Sequence, residues 1–110
     1  MRAYALIGKL TPAQRRNLLI LRDEILPGIE EGELNMERIF NACGTPSCLL
    51  GHAIASGRFP ELKRLNGVTT GDSTAFGLYG WEWMHIFRYD LPNDPTWLAA
   101  NITDLLESET

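Results

Sequence analysis

Apolar side chains recur along this chain every three or four residues, and no stretch alternates cleanly between apolar and polar positions. That spacing belongs to helices with one buried stripe rather than to strands. Leu18, Leu21 and Ile25 fall on one helical face, widened by Leu19 and Leu26. They predict a first helix from Pro12 to about Leu26, stopped by Pro27-Gly28. Leu49, Leu50, Ala53 and Ile54 predict a second helix from Pro46 to Ser56, with Gly57 as its left-handed stop. Between the two, Leu34 to Phe40 suits either one helical turn or an extended segment. Residues 58–72 read as a connection with one turn at Glu61 to Leu65. A short helix is expected at Ser73 to Leu78. Another is expected at Trp81 to Tyr89, with Met84, Phe87 and Leu91 on a shared face. The last helix should run from Pro95 to about Glu107, with Leu98, Ile102 and Leu105 inward.

Three of these helix starts use one device, a capping residue followed by proline: Thr11-Pro12, Thr45-Pro46 and Asp94-Pro95. The cap oxygen accepts an otherwise unpaired N–H, and proline has no N–H to leave unpaired at the first helical position. Gln14, three residues after Thr11, completes a capping-box pattern. The pattern as a whole predicts an all-α fold, with residues 1–110 forming one compact domain of four to six short helices.

Composition supports a folded core, since 45% of the residues are apolar. The net charge of −4 arises entirely in the second half. Residues 1–55 balance six basic against six acidic side chains, whereas residues 56–110 carry four against eight. A chain with this balance repels phosphate backbones, so nucleic acid is not an expected partner. The opening MRAYALIGKL has too short an apolar run for a secretory signal, and no window suits a membrane span. A cytoplasmic protein with no membrane partner is the expectation.

The densest chemistry lies in ACGTPSCLLGHA, residues 42–53, which holds both cysteines and one of the two histidines. Cys48 and His52 share a face of the predicted helix, and Cys43 precedes it. With His85 they make a four-ligand set for zinc: Cys43, Cys48, His52 and His85. The same two cysteines form a redox or disulfide candidate, because a helix N-terminus stabilises a nearby thiolate. The third reading is structural. Both thiols pack as small apolar groups, Gly44 makes the turn, Thr45 caps, Gly51 admits a close neighbour and His52 bonds a backbone carbonyl. The structural reading is preferred, because the spacing lacks the Cys-x-x-Cys pair common to zinc knuckles and oxidoreductases.

The string CGTPSCLLGHA resembles the Cys-Gly-Thr-x-x-Cys-x-x-Gly-x-Ala signature of small bacteriophage, prophage and bacterial proteins that have no assigned reaction. STAFGLYGWEWMHIF is similar to their second marker, Ala-x-Phe-Gly-Leu followed by an aromatic-rich helix. Here that marker is one residue tighter, as Ala75-Phe76-Gly77-Leu78. The two markers fall between Leu34 and Phe87, roughly the middle half of the chain. The resemblance implies a small phage-associated accessory protein. Its signature leaves the position of His52 open, which counts against zinc.

Trp81 and Trp83, with Tyr79, Phe87 and Tyr89 nearby, form an aromatic cluster. The two tryptophans lie about 200° apart on a helix, so both cannot be buried, and the exposed one is an interface candidate. No paired carboxylates in a cleft, no Ser-His-Asp set and no phosphate-binding glycine loop is recognisable. The expected function is therefore non-enzymatic and needs no cofactor. It is that of a small accessory protein acting by protein–protein interaction or self-association through Trp81 and Trp83. The alternative is a redox-sensitive or zinc-binding protein using Cys43 and Cys48.

Overall fold

Helix formation starts at Thr11, where both halves of the capping box are made. Thr11 Oγ1 accepts the Gln14 N–H at 3.1 Å, and Gln14 Oε1 accepts the Thr11 N–H at 2.9 Å. A computed structural model of the chain describes residues 10–30, 32–37, 47–65, 68–78, 81–88 and 90–108. Helix α1 spans Pro12–Ile20 and continues as a π-helical turn over Leu21–Ile25 and a 3-10 turn over Leu26–Gly28. The π turn brings the Leu26 N–H onto the Leu21 carbonyl, five residues back. Leu18, Leu21 and Leu26 are thereby all buried, while Ile25, expected on that stripe, is only half-buried. The run ends at Gly28, within the Pro27-Gly28 stop that the sequence predicts, and Ile29 is extended.

Helix α2 spans Leu49–Ser56, and Gly57 closes it in the left-handed region at φ 71°. Its start is a correction: it begins three residues later than expected, with Cys48 as N-cap. The cause is Ser47, which is held extended against Asn35. Its carbonyl accepts the Asn35 N–H at 2.9 Å, and its hydroxyl donates to the Asn35 carbonyl at 3.0 Å. The expected Thr45-Pro46 cap lies outside the described residues.

The connection after α2 departs most from expectation. In place of a helical turn at Glu61 to Leu65, strand β1 (Lys63–Leu65) pairs antiparallel with β2 (Val68–Thr70). The register sets Leu65 opposite Val68; positions 66 and 67 lie outside the described residues, and their sequence, Asn-Gly, suits a two-residue connection. The fold is nonetheless all-α, with five α-helices among the described residues and this one short ribbon.

Helix α3 (Asp72–Phe76), helix α4 (Trp81–Phe87) and helix α5 (Pro95–Ser108) complete the chain. Asp94 caps α5 through Oδ1, which accepts the Thr96 N–H at 2.9 Å and, more weakly, the Trp97 N–H at 3.4 Å. Leu98, Ile102 and Leu105 are fully buried, as the periodicity predicts. On α4 the inward face is a correction. Ile86 and Phe87 are buried with Trp83 packed beside them, whereas Met84 and Leu91 are half-buried.

One continuous core joins these helices. A file of aromatic rings runs through it from Phe59 to Phe76 (5.2 Å between centroids), to Phe87 (5.5 Å) and to Trp83 (5.6 Å). Polar contacts fix α3 on α1. Gln14 Nε2 donates to the Thr74 carbonyl at 3.2 Å, and buried Asn17 Nδ2 donates to the Ala75 carbonyl at 2.8 Å and to Glu61 Oε2 at 3.3 Å. No helix among the described residues is long and apolar enough to cross a membrane.

Two glycines separate backbone conformation from crowding. Both Gly57 (φ 71°) and Gly71 (φ 90°) are left-handed, but only at Gly71 does the Glu61 carbonyl occupy the space a side chain needs. Gly57→Ala should lower stability by about 1 kcal/mol, the cost of the left-handed backbone alone. Gly71→Ala should cost at least about 3 kcal/mol, because the base of the hairpin must also move. Urea melts of the two variants check this, and equal losses would contradict it.

Candidate functional site

The cysteine stretch is the first place where chemistry was expected. Cys48 is buried, its thiol is free, and its extended backbone (ψ 174°) opens α2. Two influences compete at the sulfur. Burial penalises the thiolate, while N–H groups of Gly51, Leu50 and Cys48 itself favour it. Burial is the larger, so the pKa is raised and the thiol stays protonated at neutral pH. The helix-start stabilisation that the redox reading relied on is present, but desolvation overrides it. Cys43 lies outside the described residues.

The histidines are placed apart from that sulfur's chemistry. His52, on α2, is fixed by the preceding loop: Nε2–H donates to the Glu33 carbonyl at 2.9 Å, a backbone bond of the kind the structural reading expected. His85 lies on α4 beside α5. Its Nε2 is 3.9 Å from Asp104 Oδ2, beyond hydrogen-bonding distance but close enough for charge to act, and its carbonyl accepts from Asn101 Nδ2 at 3.0 Å. Burial lowers the His85 pKa, and the Asp104 carboxylate only partly offsets this. Among the described residues no three His, Cys, Asp or Glu side chains form a group able to hold a metal. Cys48, His52 and His85 are all described, so three of the four proposed zinc ligands do not converge. The cause is that α2 and α4 turn their histidines to different neighbours.

The tryptophans divide differently from expectation. Trp83 is half-buried and packed on Phe87, so one face of its ring belongs to the core. The Trp81 side chain lies outside the described residues. Among the described residues the exposed large apolar side chain is Trp97, at 38%, a residue the sequence pattern does not single out. Helix phase could have found it. Trp97 directly precedes the inward Leu98, about 100° around α5, and shares its flank with Asn101 and Asp104. Those two residues face His85 of α4, so Trp97 stands at the open end of the α4–α5 seam.

Two of the clefts on the surface are lined by described residues. The smaller, about 230 Å³, lies between the end of the first helical run and α2, with Glu24, Ile29, His52 and Ser56 among its walls. Its polar groups are committed elsewhere: Glu24 pairs with Arg58, and the Ser56 hydroxyl donates to the Ala53 carbonyl. The larger, about 410 Å³, lies between the 30–35 loop and the start of α5. Comparison with protein-family models, curated proteins and solved structures gave no match.

Two outcomes test these placements. On native protein at about pH 8, iodoacetamide should leave Cys48 unmodified while labelling it after denaturation, as read by peptide mass mapping. Rapid native labelling would show that burial does not control the thiol. His85 makes stability depend on pH with a definite sign. The unfolded chain gains a proton at the ordinary imidazole value near about 6.5, and the folded chain only at lower pH. Between those values the unfolded state holds more protons, so stability is present above this window and falls as pH drops through it. Melting temperatures at pH 7.5 and 5.5 should differ less in His85→Gln than in the wild type.

Proposed function

We propose that this chain is a small non-catalytic binding protein that acts by contact with another protein or with a second copy of itself. Trp97 is the contact residue of this reading. The observation that carries it is the exposure of this ring while the other large apolar side chains among the described residues are wholly or partly buried. An exposed tryptophan on a rigid helix loses little conformational freedom on association and buries a large area. The position also supports it, since α5 is the longest helix and three of its residues anchor it fully in the core. The negative charge of the second half argues against nucleic acid as the partner. The resemblance to small phage and prophage proteins fits an accessory role of this kind. The redox or zinc alternative receives no support from Cys48, whose thiol is held protonated.

Trp97→Ala should weaken association at least about tenfold, read by sedimentation velocity or by capture of the cognate partner, with stability changed by no more than about 0.5 kcal/mol. Trp83→Ala should instead lower stability by about 2 kcal/mol, because its ring supports Phe87. If Trp97→Ala leaves association untouched, the reading is wrong.

A further inference from the structure

The larger cleft carries chemistry beyond the Trp97 contact. Its walls are Glu30, Gly32, Leu34, Asn35, Asn93 and Pro95, and its volume of about 410 Å³ falls within the range of ligand pockets. Two of these residues are carboxamides whose oxygen is already used. Asn93 Oδ1 accepts the Met36 N–H at 2.7 Å, and Asn35 Oδ1 accepts the Glu37 N–H at 2.9 Å. Because a backbone N–H can only donate, each contact identifies the amide oxygen and assigns the other terminal atom as the NH2. Among the described residues neither Nδ2 donates to any protein group. Two carboxamide NH2 groups without a protein acceptor among the described residues therefore belong to residues that line one cleft.

The remaining polar groups restrict what those donors can serve. The start of α5 offers no spare N–H: Pro95 has none, Thr96 and Trp97 give theirs to Asp94 Oδ1, and Leu98 gives its own to the Asp94 carbonyl. Glu30 places a carboxylate on the wall, and exposed Glu33 and Asp94 adjoin wall residues in the chain. Among the described residues no Lys or Arg lines the cleft. An anion is repelled, whereas a neutral carbonyl acceptor beside a positive charge is favoured. Leu34 and Pro95 supply apolar surface for an aliphatic stem.

We propose that this cleft binds an extended basic peptide segment. Asn35 and Asn93 donate to its backbone carbonyls, Glu30 pairs with a Lys or Arg side chain, and the stem of that side chain lies on Leu34 and Pro95. The site is separate from the Trp97 contact, since Pro95 and Trp97 lie about 200° apart around α5.

The test titrates the full chain into a short, capped, fluorescein-labelled peptide of Gly, Ser and Ala with a central Lys-Arg pair. A counterpart carrying Glu-Asp serves as control. Anisotropy should report binding of the basic peptide only, weaker at high salt. In ¹⁵N spectra the side-chain NH2 signals of Asn35 and Asn93 should shift. Exposed Glu30→Gln should weaken binding roughly tenfold. Asn93→Asp keeps the oxygen on the Met36 N–H but removes the donor, so it should also weaken binding despite its added negative charge. Trp97→Ala should leave peptide binding unchanged. Equal binding of both peptides, tighter binding by Asn93→Asp, or no binding at millimolar protein overturns the proposal. Loss of peptide binding in Trp97→Ala also overturns it, because the two sites would then be one. If no peptide binds while Trp97→Ala still disrupts association, the cleft proposal fails and the tryptophan contact stands. The reverse result rejects the contact and keeps the cleft.

Discussion

The side-chain amide of Asn17 is the joint on which this architecture depends. It is buried in α1, and from there one nitrogen reaches the end of α3 and the carboxylate at the base of the hairpin. A five-residue helix cannot satisfy its own last carbonyls, and in a core there is no water to do so. Asn17 and Gln14, three residues apart on one face of α1, supply the missing donors to Ala75 and Thr74. Gln14 does this while its oxygen closes the capping box of its own helix. The start of α1, the end of α3 and the turn before β1 are thus held by two neighbouring carboxamides. The aromatic file from Phe59 to Trp83 then fills the space these bonds define.

That arrangement bears on function because it decides which groups remain available. The described part of the most reactive-looking segment, residues 47–53, is drawn largely into the interior. Cys48 is desolvated, and Ser47 and His52 spend their polar atoms on backbone groups of the preceding loop. Groups left to the surface are of another kind: an indole at the end of the α4–α5 seam, and two carboxamide nitrogens beside a carboxylate. These are recognition groups rather than reactive ones, and the two sets occupy opposite flanks of α5.

Much of the helical scaffold was legible in the residues themselves. The caps at Thr11 and Asp94, the stop at Gly57 and the inward stripe of α5 all follow from local rules, and local rules suffice where a helix meets solvent on one side. The departures share a different cause, a partner distant in sequence. Helix α2 starts late because Asn35 holds Ser47, and Asn17 is buried because α3 needs its nitrogen. The hairpin is an exception, since the Asn66-Gly67 pair between Leu65 and Val68 is itself a local hairpin signal in the sequence. The candidate site was least legible. Trp97 could have been found by phase on α5, whereas nothing in the order of residues announces that the Asn35 and Asn93 amides sit on one cleft.

The pairing of Asn35 with Ser47 has a topological consequence. Two reciprocal hydrogen bonds close a circuit in the chain, and eleven residues, 36–46, lie within it. Closing such a circuit carries an entropic penalty that grows only logarithmically with its length, so doubling it adds about 0.6 kcal/mol. By closure entropy alone, a change in the length of this circuit is inexpensive, while Met36 at its start stays tied to the core and to Asn93. The two hydrogen bonds between Asn35 and Ser47 thus act as a clasp, fixing where the chain leaves the core and where it returns to open α2 however long the path between them is.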